Sequence, residues 1–131
     1  MLGDYIVILE ELQVYQLAME IGEKAWVVVK KWDYFSRNTI DNQFIRAADS
    51  IAANLSEGYG RFFYKENKQF CYYSKGSLCE FKTWLNKAHN RDLINNSDFE
   101  ALLNALSLFN KKLNKYIATI GKNINQPSHN Q

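Results

Sequence analysis

Apolar residues recur along most of the chain at intervals of three and four, the period of helices packed on one side. The first such stretch runs from about Glu10 to Lys31, with Leu12, Tyr15, Met19, Trp26 and Val29 roughly on one face. The segment WDYFSRN reads as a loop, and Thr39, with Asn42 three residues on, reads as the N-cap of a second helix. That helix would bury Phe44, Ala48, Ile51, Leu55 and Tyr59, with Gly58 and Gly60 ending or kinking it. A third stripe joins Phe70, Ser74, Ser77, Phe81, Leu85 and Ala88. Gly76 interrupts it at a cost of about 1 kcal/mol relative to alanine, and close approach of a neighbouring helix is the expected reason. Ser97-Asp98-Phe99-Glu100 has capping-box form. It opens a fourth stripe, Phe99, Leu102, Leu103, Leu106, Phe109, Leu113, Tyr116, Ile117 and Ile120, capped by Gly121.

The spacing therefore predicts helices over about 10–31, 39–59, 64–90 and 98–121 and a loose polar tail over 122–131. Four long helices with short connections imply an all-α, antiparallel up-down-up-down four-helix bundle, one domain across residues 1–131.

Composition narrows the class. A hydrophobic content of 47% excludes a disordered chain. No signal peptide or membrane span is visible, since the run from Tyr5 to Leu9 is too short. Cys71 and Cys79 are eight residues apart on one helix, about 12 Å, too far to bridge. They are expected to be reduced core thiols of a cytoplasmic protein.

The pattern lacks the constellations that catalytic and metal chemistry need. The residues three after Glu57, Glu80 and Glu100 are Gly60, Thr83 and Leu103, so Glu-x-x-His is missing. His89 and His129 have no ligand-spaced partner, and His89 reads as a helix-end residue favoured by the dipole. Gly58-Tyr59-Gly60-Arg61 lacks the strand and the following residues of a phosphate loop. No catalytic residue, metal or cofactor is assigned, and the chain is expected not to be an enzyme.

The polar side of helix two is more specific. On a wheel of about 100° per residue, Arg46, Ser50, Asn54, Glu57 and Arg61 fall within an arc of about 80°. A solvated face with a Glu57–Arg61 pair explains this, and so does a contact surface. Ala47 and Ala53 keep its flanks lean. The 8 Phe, 8 Tyr and 3 Trp are also many for one small core. Trp26, Trp32, Tyr34, Phe62, Tyr73 and Trp84 are candidates for a second buried surface of the kind interfaces favour.

Three stretches carry a family resemblance: LQVYQLAMEIGEKAWVVVKKWDYF, QFIRAADSIAANLSEGYGR and ENKQFCYYSKGSLCEFKTWLNKA. Together they resemble the bacterial four-helix-bundle family named after proteins encoded in 23S rRNA intervening sequences, over most of residues 9–121. The resemblance implies a bundle that assembles into a ring, commonly a homopentamer. It also implies similarity in fold to the accessory variability protein of diversity-generating retroelements, a basic pentameric ring that binds nucleic acid and a reverse transcriptase. The family motif falls on Arg46, Asp49, Ser50, Asn54, Glu57, Gly58, Arg61, Gly76, Ser77 and Glu80. Asp41 stands where relatives often have glycine, and Lys75 where arginine is usual. Arg46, Asp49, Glu57, Arg61 and Glu80 are expected to form a charged network that fixes helix register and subunit geometry, with Ser50, Asn54, Gly76 and Ser77 beside it.

Charge is divided along the chain. Residues 1–60 carry five Lys/Arg and nine Asp/Glu, net −4; residues 61–131 carry eleven and five, net +6. An up-down topology gathers Arg61, Lys65, Lys68, Lys111, Lys112, Lys115 and Lys122 at one end, partly offset by Glu10, Glu11 and Glu66. Ordinary solubilising lysines account for such a cluster, and so does phosphate contact repeated around a ring. Phe62, Tyr64 and Tyr116 would offer stacking faces, with core packing the stronger expectation for Tyr116. The expected partners are copies of the chain, RNA or DNA, and a nucleic-acid-processing protein. The alternative is a protein scaffold that makes no nucleic-acid contact.

Overall fold

A computed structural model of the chain describes residues 8–122; the expected polar tail beyond Lys122, with Pro127 and His129, and the residues before Ile8 lie outside that range. A 3-10 turn, Leu9–Glu11, precedes four α-helices: α1 Gln13–Lys30, α2 Tyr34–Tyr59, α3 Tyr64–Asn90 and α4 Asn96–Thr119. The described residues contain no strand. Each helix packs on the next and α4 packs back on α1.

Contacts between helix ends fix the antiparallel arrangement. At the upper end, where α1 finishes and α4 begins, Lys31 Nζ lies 3.3 Å from Asp98 Oδ2. There too the Trp32 indole N–H donates to the Leu93 carbonyl at 2.7 Å. At the lower end the Tyr64 ring that opens α3 packs on Gly121 beyond α4. Between the layers lies a core of apolar side chains, with Phe44, Phe81 and Phe109 fully buried. Phe44 sits between Trp32 and Phe81, with ring centroids 5.3 and 4.9 Å away.

Several expectations are corrected. Helix one does not start at Glu10: the chain makes the 3-10 turn, is extended at Leu12, and enters α1 at Gln13. The Gln16 side-chain amide donates to the Glu10 carbonyl at 2.9 Å, which holds that entry. The buried ridge of α1 is Val14, Ala18, Ile21, Ala25 and Val28, so Met19 and Trp26 are exposed. Helix two begins at Tyr34, not Thr39. Asp33 is its N-cap and accepts from the Ser36 N–H at 2.8 Å. Thr39 lies inside the helix and donates back to the Ser36 carbonyl. Helix four opens at Asn95, which accepts from the Asp98 N–H at 2.7 Å and donates to the Asp98 carboxylate, a capping arrangement two residues before the expected one.

The glycines change roles as well. Gly58 does not end α2 but is buried within it, where an added Cβ would lie 2.8 Å from both Asn67 Oδ1 and Phe70 Cβ. Gly76 is not approached by a neighbouring helix; it is exposed, and an added Cβ would have no atom within 4 Å. Gly121 does follow α4, with φ +81° after an extended Ile120, and the Lys122 N–H donates to the Thr119 carbonyl. This is a type II turn, which needs a residue without a side-chain penalty at positive φ. Trp32 is core rather than spare surface, while Cys79 is exposed and only Cys71 is a buried thiol.

Candidate nucleic-acid interface

The α2–α3 turn brings the basic residues to the lower end. Gly60 closes α2, and Phe63 precedes α3 in extended conformation without a side-chain cap bond. Lys65 and Lys68 therefore lie in the first turns of α3, opposite the chain that leaves α4. Tyr64, Lys65, Lys68, Ile120, Gly121 and Lys122 line one open groove of about 350 Å³. The Gly121 turn matters here because it places Lys122 across from the two α3 lysines.

Other basic residues are placed differently. Arg61 donates to Glu57 Oε2 at 2.9 Å, and its guanidinium lies 4.7 Å from the centre of the Phe70 ring. Lys115 and Lys111 stand about 6 and 12 Å up α4 from its end, exposed, with Lys112 half-buried. None of these three lines the groove. Lys75 reaches across the α3–α4 seam and donates to Asn114 Oδ1 at 2.6 Å. Tyr116 is largely buried, and burial pushes its hydroxyl above the ordinary value, so it offers no stacking face.

A further exposed ring stands at this end. Phe63 is exposed beside Phe62, their rings T-shaped at 4.9 Å. The signal was Arg61-Phe62-Phe63-Tyr64-Lys65, cations flanking three aromatics.

The polar stripe of α2 lies beside α3. Asn54 Nδ2 donates to the Ser50 carbonyl at 3.0 Å and to Ser77 Oγ at 3.2 Å. Ser50 Oγ donates to the Ala47 carbonyl. Within one chain the five charged positions do not make a single network. Glu57 pairs with Arg61; Glu80 accepts a 3.5 Å contact from the Trp84 indole; Arg46 has no ion-pair partner among the described residues. Asp49 turns to α1, where an added Cβ on Gly22 would lie 2.7 Å from its Oδ1. Burial there, and then Glu23, push its carboxyl above the ordinary range. Both carboxylates line a groove of about 260 Å³ at the α1–α2 seam.

Among the described residues no three His, Cys, Asp or Glu side chains gather where they could hold a metal ion. No described helix is long and apolar enough to cross a membrane. The Cys71 thiol is buried and pushed up to about 12, which makes it a poor nucleophile.

The model of the 23S rRNA-intervening sequence protein family matches residues 10–115. The chain belongs to that family. No curated protein matches it in sequence. The family match includes the polar stripe, Gly76 and six of the seven lower-end cations, and it stops before Gly121 and Lys122. In this member of the 23S rRNA-intervening sequence protein family, one wall of the lysine groove is therefore formed by residues beyond the matched segment.

Proposed function

We propose that the chain is a non-enzymatic, cytoplasmic, ring-forming bundle that binds the RNA or DNA backbone through its lower end. The observation that carries this reading is the groove in which Lys65 and Lys68, from the start of α3, meet Lys122, from the turn after α4. Phosphates are the natural partners of clustered, unpaired ammonium groups, and such binding weakens as salt displaces the released counterions.

Two observations support assembly. Gly76 occupies the middle of a 27-residue helix, exposed, and an added Cβ would meet no atom of the described residues within 4 Å. Its missing side chain gains a purpose if a second copy approaches there, beside the exposed Tyr72 and Tyr73. The acidic first half and basic second half also favour head-to-tail contact between copies. Five copies is the number the resemblance implies. The motif positions Arg46 and Asp49, which have no ion-pair partner among the described residues, would find an anion and a cation respectively across such a contact.

Light scattering on protein eluted at low salt, with absorbance at 260 and 280 nm, tests both parts. The expected result is a mass several times 15.3 kDa with excess absorbance at 260 nm. Reversing Lys65 and Lys68 to glutamate should remove the excess and keep the mass; Gly76→Leu should lower the mass and keep the helical signal. A clean monomer that ignores these changes overturns the reading.

A protein scaffold is the second reading. Tyr34 and Phe35, 84% and 80% exposed at the upper end, favour it. Recovery of a partner protein that survives nuclease treatment and is lost in Tyr34→Ala/Phe35→Ala would support it.

A further inference from the structure

We infer that the lower end binds single-stranded nucleic acid in preference to duplex, with Phe62 and Phe63 stacking on unpaired bases while the lysine groove holds the adjoining phosphates. This deepens the nucleic-acid reading above and rests on it. Phe62 and Phe63 are 62% and 43% exposed in the turn between α2 and α3. They are adjacent in sequence to Tyr64 and Lys65, which line the groove. Ring faces and ammonium groups are thus presented together.

The two parts ask for different things from a ligand. Lysines need only phosphate, which a duplex and a single strand both supply. An aromatic ring needs an uncovered base face, and in a duplex every internal base face is already stacked. A duplex seated on the groove would offer neither phenylalanine a base face. A single strand satisfies rings and lysines at once, and a groove of about 350 Å³ is in the lower part of the range for one small ligand unit.

Magnitudes favour the same choice. Three lysine contacts to a single strand give a salt slope of about −2, a loss of roughly 20-fold between 50 and 200 mM salt. The carboxylates of Glu57 and Glu66 close by reduce the local field further. Coulombic attraction from one chain is therefore modest, and stacking, worth roughly tenfold per base, decides the ligand. The upper-end pair Tyr34 and Phe35 is more exposed, but among the described residues it adjoins no lysine-lined groove, so it lacks the second half of the arrangement.

The test is fluorescence anisotropy with a labelled mixed-sequence RNA of about 16 nucleotides, single-stranded and as a perfect duplex, and with the matching DNA strand. The expected result is at least tenfold tighter binding of the single strands. Phe62→Leu/Phe63→Leu keeps apolar bulk but removes the ring faces; it should bring single strands down to the duplex affinity and leave the salt slope unchanged. Equal affinity for strand and duplex, lost on reversing Lys65 and Lys68, overturns the inference and leaves the nucleic-acid reading standing. Failure to bind either form overturns both. Binding instead to phosphatidylcholine–phosphatidylglycerol vesicles, dependent on Phe62 and Phe63, would assign the rings to a lipid surface and also overturn the inference.

Discussion

The two ends of the bundle are closed by opposite means. The upper end is sealed by side chains: Trp32 fills the space above Phe44 and hydrogen-bonds Leu93, His89 stacks on Phe99 at 3.8 Å, and Lys31 meets Asp98. The lower end is sealed by their absence. Gly58 lets α3 approach α2, and Gly121 turns the chain against the Tyr64 ring. Backbone and ring do the closing there, so lysines and phenylalanines remain outside. Both ends keep exposed aromatics, Tyr34 and Phe35 above and Phe62 and Phe63 below, and among the described residues it is the lower pair that adjoins a groove lined by lysines.

The largest break in this contrast is Trp32→Ala. It removes a buried ring and leaves the Leu93 carbonyl without its donor, and should cost about 3–5 kcal/mol in thermal or denaturant unfolding. Binding per folded molecule should not change. Gly58→Ala is the matching change below. Its Cβ meets the Phe70 Cβ, which belongs to a packed helix and cannot swing away, so a loss of about 1–3 kcal/mol is expected. A neutral or stabilising result would mean that close helix approach does not seal this end.

Two aspartates give smaller effects of opposite sign with pH. Asp33 accepts the Ser36 N–H, and that bond lowers its carboxyl below the ordinary value. Its stabilising contribution is present above the unfolded-state value and is lost as pH falls through the lower folded value. Asp49 is raised by burial and by Glu23. The folded chain takes up that proton first, so stability rises as pH falls through the raised folded value, with the full gain below the unfolded one. Melting curves across the acid range should therefore lose the first dependence in Asp33→Asn and the second in Asp49→Asn. Asp49→Asn should also be slightly more stable at neutral pH.

Much of this arrangement was legible in sequence, for identifiable reasons. The third helix was placed at its observed limits because its stripe is long and turn residues bound it on both sides. The expected start of the second, Thr39, is five residues late because Tyr34 and Phe35 look like loop aromatics and hide the Asp33-x-x-Ser36 cap. Asn95-x-x-Asp98 and Ser97-x-x-Glu100 both fit a capping pattern, and local sequence alone does not choose between them. The glycines show the deeper limit. Sequence reveals that a side chain is missing, but which neighbour comes close is a matter of tertiary packing, so the close approach expected at Gly76 is found at Gly58 instead. Topology alone brought Lys65, Lys68 and Lys122 together. The groove separates them from the α4 lysines because height along a helix, not only the end it points to, decides what meets.

The placing of the two thiols has a practical consequence. Cys71 is sealed in the core and held protonated, while Cys79 stands exposed one turn from Gly76. The native chain should thus show one fast-reacting sulfhydryl and one silent one, with the second released only on unfolding. Maleimide labelling would read the outer face of α3 directly: if copies meet there, the fast site should slow as protein concentration rises, and a dye attached beforehand would act as a wedge.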